Sequence, residues 1–216
     1  MFVKNLMRFD IITIFPNFFD SFLNEAIFSR ALKRKLFQVK IHNLRKWTND
    51  RHQTVDDKPF GGGVGMVLKF EPIYKAIKSI RLKSKVILFS PRGKKFDQEA
   101  AKKWTKANQL IFICGRYEGV DERVATHLAD EVVSVGDFVL SGGEIPAMIV
   151  MEAVSRLIPG VVGKKESAEK FDHAQYTRPE MFKLGKKKLV VPKVLLSGNH
   201  KKIEEWRQKH SKLTRD

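Results

Sequence analysis

Residues 135–160 read VGDFVLSGGEIPAMIVMEAVSRLIPG. The segment begins as the apolar end of a strand that carries an acid, breaks at Ser141-Gly142-Gly143, and continues as an almost wholly apolar helix that stops at Pro159-Gly160. A helix that is apolar on every side is buried in a core. We therefore predict a strand end, a glycine turn and a buried helix, with one cation, Arg156, near the end of that helix.

The chain before this segment alternates between apolar runs and helical patterns. Strands alternating with helices predict parallel βαβ units and an α/β fold with helices on both faces of the sheet. We predict strands at residues 9–15, 37–44, 85–90, 109–114 and 130–135, and helices that open at Pro16, span about 97–106 and start near Asp121.

The sequence changes character after Gly163. Residues 1–163 are predicted to form the main domain, and residues 164–175, which are polar and lack a period, a linker. Residues 176–216 are predicted to form a small, basic and mostly helical module, too short to bury much of a core alone.

Composition narrows the class of protein. The 216 residues are 43% hydrophobic, which favours a folded globular chain. With 41 Lys and Arg against 24 Asp and Glu, the net charge of +17 favours a polyanionic partner, above all nucleic acid, although a lysine-rich surface alone is the alternative. One cysteine, no secretory leader and no apolar run of about 20 residues predict a cytoplasmic protein outside the membrane.

Three loops share one design, in which a buried strand is followed by glycine and then by a helix. They are Ser90–Gly93, Gly115–Gly119 and Gly136–Gly143. Ligands of parallel sheets bind outside the carboxyl ends of the strands, where such loops meet. Glycine there allows close backbone approach and positive φ angles. The repetition predicts one ligand site formed by all three loops.

Other motifs argue against several common sites. The cluster at residues 61–65 lacks the Lys-Ser or Lys-Thr pair of a phosphate-binding loop, and no G-x-G-x-x-G fingerprint occurs. Six histidines are scattered without paired ligand spacing, so no zinc site is predicted. Cys114 ends an apolar strand and is interpreted as a packed residue rather than a nucleophile.

Charged residues within these loops are candidates for chemistry. Glu118 and Asp137 lie where the backbone is expected to face a ligand. Arg156 lies in an otherwise apolar helix, where it serves function or forms an ion pair with Glu152, four residues earlier. Both interpretations stay open at this point, since buried ion pairs occur but are costly.

Seven motifs in order resemble the bacterial tRNA (guanine-N1)-methyltransferases of the TrmD type, over about residues 9–207. They are DRHQTVDDKPFGGGVGMVL, SPRGKKFDQ, CGRYEGVDERV, SVGDFVLSGGEIPAM, SRLIPGVVG, YTRPEMF and VPKVLLSGNHKKIEEWR. The resemblance implies a SPOUT-class sheet with a deep trefoil knot in the C-terminal half of the main domain, and methylation of N1 of the guanine at tRNA position 37 with S-adenosylmethionine.

The same resemblance assigns roles to residues of this chain. It implies that S-adenosylmethionine is bound by Ser90, Pro91, Gly115, Val135, Gly136, Asp137, Phe138, Val139, Leu140, Gly142, Gly143 and Pro146. It also implies a homodimer with active sites at the subunit interface, and possible use of Mg²⁺, for which no ligands are assigned.

The implied chemistry follows from the acceptor atom. N1 of guanine carries a proton at neutral pH, so attack on a methyl group requires a general base and a donor to O6. The resemblance assigns Arg156 to O6 and Glu118 to the amino edge of the base. It places Asp56 and Gly61 beside the base, and we expect Lys186, Lys187, Lys188 and His200 to meet tRNA phosphates.

The chain departs from the family pattern in two places. The linker that holds the base is shorter than usual and offers Asp172, our choice, or Glu169, its rival. The C-terminal module also ends early, at Asp216. These departures leave open an alternative interpretation, in which the chain is a tRNA- or rRNA-binding protein with weakened catalysis. A third interpretation, ribose 2′-O-methylation, is disfavoured by Glu118 and Arg156.

Overall fold

Five parallel strands form the main sheet of the computed structural model, which describes residues 6–163 and 173–211. The strands within residues 6–163 are β1 (Arg8–Thr13), β2 (Gln38–Asn43), β3 (Asp56–Asp57), β4 (Val67–Leu68), β5 (Ser84–Lys95), β6 (Gln109–Ile113) and β7 (Glu131–Ser134). The sheet order is β2-β1-β6-β5-β7, and β3 pairs with β4 in a separate antiparallel ladder. The predicted α/β class with a parallel sheet is confirmed.

Helices cover both faces of this sheet, as predicted. They are α1 (Asp20–Asn24), α2 (Ala26–Lys33), α3 (Phe70–Ile80), α4 (Gln98–Trp104), α5 (Glu122–His127) and α6 (Glu144–Ser155), with 3-10 helices at Pro16–Phe19 and Leu44–Trp47. Side chains alternate across a strand, so Phe112 packs with α2, α4 and α6 while its neighbour Ile111 packs with α3 and α5.

Acidic caps fix the starts of two helices. Asp97 accepts a hydrogen bond from the Ala100 amide at the start of α4, and Asp121 accepts one from the Arg123 amide at the start of α5. Such caps satisfy amide donors that have no partner inside the helix. Both helices therefore begin beside the positions that the sequence predicts.

Several predicted boundaries are wrong. Strand β1 ends at Thr13, two residues before Phe15, and β7 ends at Ser134, so residues 135–140 form a loop rather than a strand end. Helix α6 ends at Ser155, with Arg156 as its cap, and not at Pro159. Helix α3 and the β3–β4 pair were not predicted, although the apolar residues of α3 recur at helical spacing.

The chain divides into two compact units, Met1–Ala168 and Glu169–Asp216. The described part of the second unit contains β8 (Met181–Leu184), β9 (Lys187–Val190), α7 (Lys193–Leu196) and α8 (His200–Lys209). Strands β8 and β9 form an antiparallel hairpin whose turn includes Gly185 at φ +59°. The sequence pattern predicted a mostly helical module and did not predict this hairpin, whose strands lie exposed and so are not marked by a buried apolar run.

Candidate active site

The three glycine loops meet at one pocket of ≈ 300 Å³. Strands β5, β6 and β7 lie side by side and parallel, so an irregular segment within β5 and the loops that follow β6 and β7 converge at one edge of the sheet. The pocket wall is formed by residues 88–92, 115–120, 122, 125, 132–136, 138–143 and 146. Such a volume lies within the range of about 300–1,000 Å³ that is typical of small-molecule sites.

The first loop is a bulge inside β5 rather than the predicted turn after it. Phe89 pairs with Val133 of β7, and Lys94 pairs with the same residue, so the four residues between them leave the ladder. A side chain on Gly93 would collide with the Val133 backbone. Glycine therefore allows β5 to return to β7 while Ser90 and Pro91 project into the pocket wall.

Gly142 and Gly143 are required because two other segments approach them closely. A Cβ atom on Gly143 would lie 2.6 Å from the Cα atom of Cys114, and one on Gly142 would collide with the Arg116 side chain. The Gly143 amide donates to the Gly115 carbonyl at 2.9 Å. Neither glycine adopts a positive φ angle, so close packing, and not a left-handed turn, explains this pair.

A buried carboxylate lies directly behind the pocket wall. Glu144, the first residue of α6, is fully buried. Its Oε1 atom accepts a hydrogen bond from Thr13 Oγ1 at 2.6 Å, and its Oε2 atom accepts one from Arg116 Nε at 2.8 Å. Arg116 also donates from Nη1 to the Ser141 carbonyl at 3.3 Å. The ends of β1 and β6 and the glycine turn are thereby joined.

Glu118 lies on the pocket wall with an exposed side chain. Its amide donates to the Met66 carbonyl at 3.0 Å, and a Cβ atom on Gly65 would lie 2.7 Å from its side chain. The preceding residue, Tyr117, has φ +60°, which is unusual for a bulky side chain. The acid is thus held between its own constrained loop and the glycine-rich loop.

The structure brings together most of the residues predicted to bind the cofactor. Those on the pocket wall are Ser90, Pro91, Gly115, Val135, Gly136, Phe138, Val139, Leu140, Gly142, Gly143 and Pro146. Asp137 is absent from the wall; its side chain is exposed and pairs with Lys95. Their part in binding stays a prediction.

Other predicted residues lie elsewhere in the chain. Asp56 is in β3 and Gly61 in the loop that follows, which joins two antiparallel strands and so differs from a phosphate-binding loop. Arg156 caps the carboxyl end of α6 and is partly buried. Asp172 and Glu169 lie outside the described residues. In the second unit, Lys186–Lys188 follow the hairpin turn and enter β9, and His200 begins α8.

Sequence reasoning missed four charged residues of the site: Glu144, its partner Arg116, Arg92 and Glu122. Glu144 was not singled out because its partners Thr13 and Arg116 are 131 and 28 residues away. Arg92 and Glu122 form an ion pair at 2.5 Å between the first loop and α5, and both line the pocket. A charged residue at the start of an apolar helix is the one local signal that marks Glu144.

Cys114 is a packed residue, as its position in the sequence indicates. Burial raises the pKa of the Cys114 thiol well above its ordinary value, and the Glu144 carboxylate raises that pKa further. A thiol of this kind is a poor nucleophile, because the thiolate is the reactive form. Within residues 6–163 and 173–211, no three His, Cys, Asp or Glu side chains form a group that could hold a metal ion.

The helices in the described part of the chain are too short or too polar to cross a membrane.

Comparison with known proteins gives the family. Residues 7–215 match the family model described as tRNA (Guanine-1)-methyltransferase TrmD. A tRNA (guanine-N(1)-)-methyltransferase of Dehalococcoides mccartyi (strain ATCC BAA-2266 / KCTC 15142 / 195) is 47% identical over 216 residues, covering 95% of this chain and 86% of that protein. The protein of that name from Geobacter sp. (strain M21) is 49% identical over 213 residues, covering 94% and 84%. The one from Carboxydothermus hydrogenoformans (strain ATCC BAA-161 / DSM 6008 / Z-2901) is 47% identical over 215 residues, covering 96% and 83%. With such a match over nearly its whole length, the chain belongs to the tRNA (guanine-1)-methyltransferase family of the TrmD type.

Proposed function

We propose that this protein methylates N1 of guanine at tRNA position 37, with S-adenosylmethionine as the methyl donor. The observation that carries this proposal is the pocket formed by the β5 bulge and the loops after β6 and β7, whose wall holds eleven of the twelve residues predicted for the cofactor together with Glu118. Membership of the family and the net charge of +17 support a tRNA substrate.

The pocket wall suits S-adenosylmethionine in its chemistry. Glycine at positions 115 and 142 allows close approach of the backbone to the polar edges of an adenosine, and Val135, Leu140 and Pro146 offer apolar contacts to its ring. When bound, S-adenosylmethionine supplies a methyl group on a positively charged sulfur. The chain itself must then hold the guanine and remove its proton.

In this proposal, different charged residues of the chain remove the N1 proton, donate to O6 and orient the guanine. A carboxylate of the linker, Asp172 or its rival Glu169, takes the proton from N1 and frees the lone pair of that atom. Arg156 donates to O6 as negative charge builds there, because a guanidinium stays charged and presents fixed donors. Glu118 accepts from the exocyclic amino group, which orients the base.

The finer features are part of the same proposal. We infer a deep trefoil knot in the C-terminal half of the main domain from membership of the family. A homodimer is supported by exposed Ile145 and Ile149 on the first turns of an otherwise apolar α6. The basic hairpin segment 186–188 contacts tRNA phosphates, and Mg²⁺ use and a cytoplasmic location follow the family.

Methyl transfer to tRNA transcripts tests the function directly. We expect transfer to a transcript with guanine at position 37 and none to a matched transcript with adenine there, since adenine lacks both O6 and the N1 proton. Separately, S-adenosylhomocysteine at about 100 times its Kd stabilises the fold by about 2.7 kcal/mol, which raises the melting temperature.

The two measurements separate the possible failures. Transfer to the adenine transcript would contradict the proposed roles of Arg156 and the base. Binding of tRNA and S-adenosylhomocysteine without any transfer would instead identify an RNA-binding protein that has lost catalysis.

A further inference from the structure

A chain of polar contacts around Glu144 joins the end of β1 to two loops of the pocket wall. It runs from the Phe15 amide to Thr13 Oγ1 at 2.9 Å, then to Glu144, Arg116 and the Ser141 carbonyl. No other charged side chain on α6 within the described residues is fully buried, and the rest of its buried face is almost wholly apolar. A buried ion pair adds little stability over an apolar replacement, so its location beside the pocket needs another reason.

Arg116 is held on all sides. Its side chain is 15% exposed, and its guanidinium carbon lies 4.7 Å from the centre of the Phe15 ring and 5.5 Å from that of Phe18. Its backbone forms bridges with Gly119 and Gly142. Because the Arg116 side chain also fills the space that a Cβ atom on Gly142 would need, the arginine sets the spacing between two loops of the pocket.

Glu118 is two residues beyond Arg116 in the same short loop, closed by the Gly119 amide that donates to the Arg116 carbonyl at 3.0 Å. Any displacement of Arg116 therefore displaces Gly115 on the cofactor side and Glu118 on the substrate side together. The charge on Glu144 also compensates that of Arg116, which would otherwise disfavour a cationic ligand in the pocket.

We infer that Glu144 and Arg116 are positioning residues: the buried Glu144 carboxylate fixes Arg116, and Arg116 holds the Gly115–Gly119 loop against Ser141–Gly143 so that cofactor wall and Glu118 keep their geometry. The expected effect on kcat rests on the proposed function, whereas the expected effect on cofactor binding depends only on the geometry of the pocket. Neither residue contacts the reacting atoms in this scheme; each acts through the loop.

The sharpest variant is Arg116→Lys, which keeps the charge beside Glu144 but loses the fork that reaches both Glu144 and Ser141. We expect the Kd for S-adenosylhomocysteine to rise and kcat at saturating cofactor to fall, each by about tenfold, because misplacement of a binding group by about 1 Å costs up to about 10²-fold. Arg116→Ala is expected to be more severe than Arg116→Lys.

Arg123→Lys is the matched control. Arg123 also forms a two-pronged contact with an acid, Asp121, but it is exposed and lies outside the pocket wall. For Arg123→Lys, the Kd for S-adenosylhomocysteine and the kcat are expected to stay within about twofold of those of the parent protein. All measurements are made where circular dichroism shows each variant fully folded, so that loss of stability alone cannot change the Kd.

Glu144→Gln replaces one carboxylate oxygen by an amide donor that faces Thr13 or Arg116, both donors in the parent. We expect Glu144→Gln to raise the Kd for S-adenosylhomocysteine and lower kcat as Arg116→Lys does. If Glu144→Gln does not fold, Arg116→Lys alone still tests the positioning role. Unchanged Kd and kcat in folded Arg116→Lys would overturn the inference. If the parent protein binds S-adenosylhomocysteine but transfers no methyl group, the proposed function fails while the Kd comparison still tests the positioning role.

Discussion

Asp10 of β1 and Glu144 of α6 are both fully buried carboxylates that accept hydrogen bonds from β1, but near opposite ends of that strand. Asp10 lies near the start of β1 and accepts from Arg8 at 2.6 Å, Gln109 at 2.7 Å and His42 at 2.7 Å. Glu144 accepts from Thr13, at the carboxyl end of β1, and from Arg116. One acid joins strands within the fold, and the other joins loops around a pocket.

The difference lies in what each network holds. Gln109, the first residue of β6, also accepts from the Leu82 amide and donates to the Ile80 carbonyl, so the Asp10 network closes the end of α3 onto the sheet at the amino end of β6, opposite the pocket loops. The Glu144 network holds segments that line the pocket. The same physical device, a buried acid with several donors, therefore stabilises a fold in one place and positions a site in the other.

The largest expected effect is the loss of turnover on substitution of the residues proposed to act on guanine. Asp172→Asn keeps the shape of the proposed base but removes proton acceptance, so turnover should fall by about 10²-fold or more while S-adenosylhomocysteine still binds. Arg156→Ala should be comparably severe because the donor to O6 is lost. Single-turnover methyl transfer measures both.

Glu169→Gln is the control for that substitution and should cause a modest loss only. If Glu169→Gln abolishes turnover while Asp172→Asn is nearly silent, the assignment of the base is reversed and the function stands.

Asp10→Asn is expected to destabilise the protein by about 2 kcal/mol, because Arg8, His42 and Gln109 lose a buried charged acceptor. Turnover per folded molecule should stay unchanged, since Asp10 contacts no pocket residue among its hydrogen-bond partners. Urea unfolding and methyl transfer measure the two effects, with Asp20→Asn as an exposed control. A loss of turnover at constant folded fraction would break the distinction between the two buried acids.

Replacing Lys186, Lys187 and Lys188 with alanine extends the comparison to the second unit. We expect tRNA binding to weaken by about tenfold at low salt, and the slope of log K against log salt to become smaller by up to about 3, because fewer counterions are released. Replacing the exposed Lys102, Lys103 and Lys106 removes the same charge from the first unit. Equal changes in both triple variants would show that net charge, and not the hairpin, determines binding.

The smallest expected effect is the contribution of Asp10 to the pH dependence of the free energy of unfolding. Burial acts to raise the pKa of Asp10, but hydrogen bonds from His42, Gln109 and Arg8 together hold it below its ordinary value. The unfolded chain, with an aspartate pKa of about 3.9, therefore takes up the proton first as the pH falls. Stability from this group is present above about pH 4 and is lost as the pH falls through the folded pKa. Urea unfolding between about pH 5 and pH 3 should show a steeper loss for the parent protein than for Asp10→Asn.

The strands of the sheet were predictable because each contains a short apolar run or, in β2, an alternation of apolar and polar residues. Residues 109–113 are buried without exception, as a strand covered by helices on both faces requires. The strand boundaries were less predictable: Ser90–Gly93 has the composition of a turn, but pairing with Val133 on both sides makes it a bulge in β5. That pairing depends on β7, some 40 residues later in the chain.

The pocket loops were likewise visible as glycine after a strand, and the family resemblance named their residues. The long-range contacts that hold these loops in place could not be predicted from the sequence. The contacts of Glu144 with Thr13 and Arg116, and of Arg92 with Glu122, join residues separated by 131, 28 and 30 positions, and no local pattern records them.

The sequence by itself determined the alternation of strands and helices, the two-faced burial of the sheet and the three glycine loops, because periodicity and glycine act on neighbouring residues. The tertiary structure alone decided the order β2-β1-β6-β5-β7, which brings β5, β6 and β7 together at one edge. It also decided that Gly142 and Gly143 serve close packing against Arg116 and Cys114. Both depend on which distant segments meet, and that is settled by packing of the whole chain rather than by the conformational preference of any one residue.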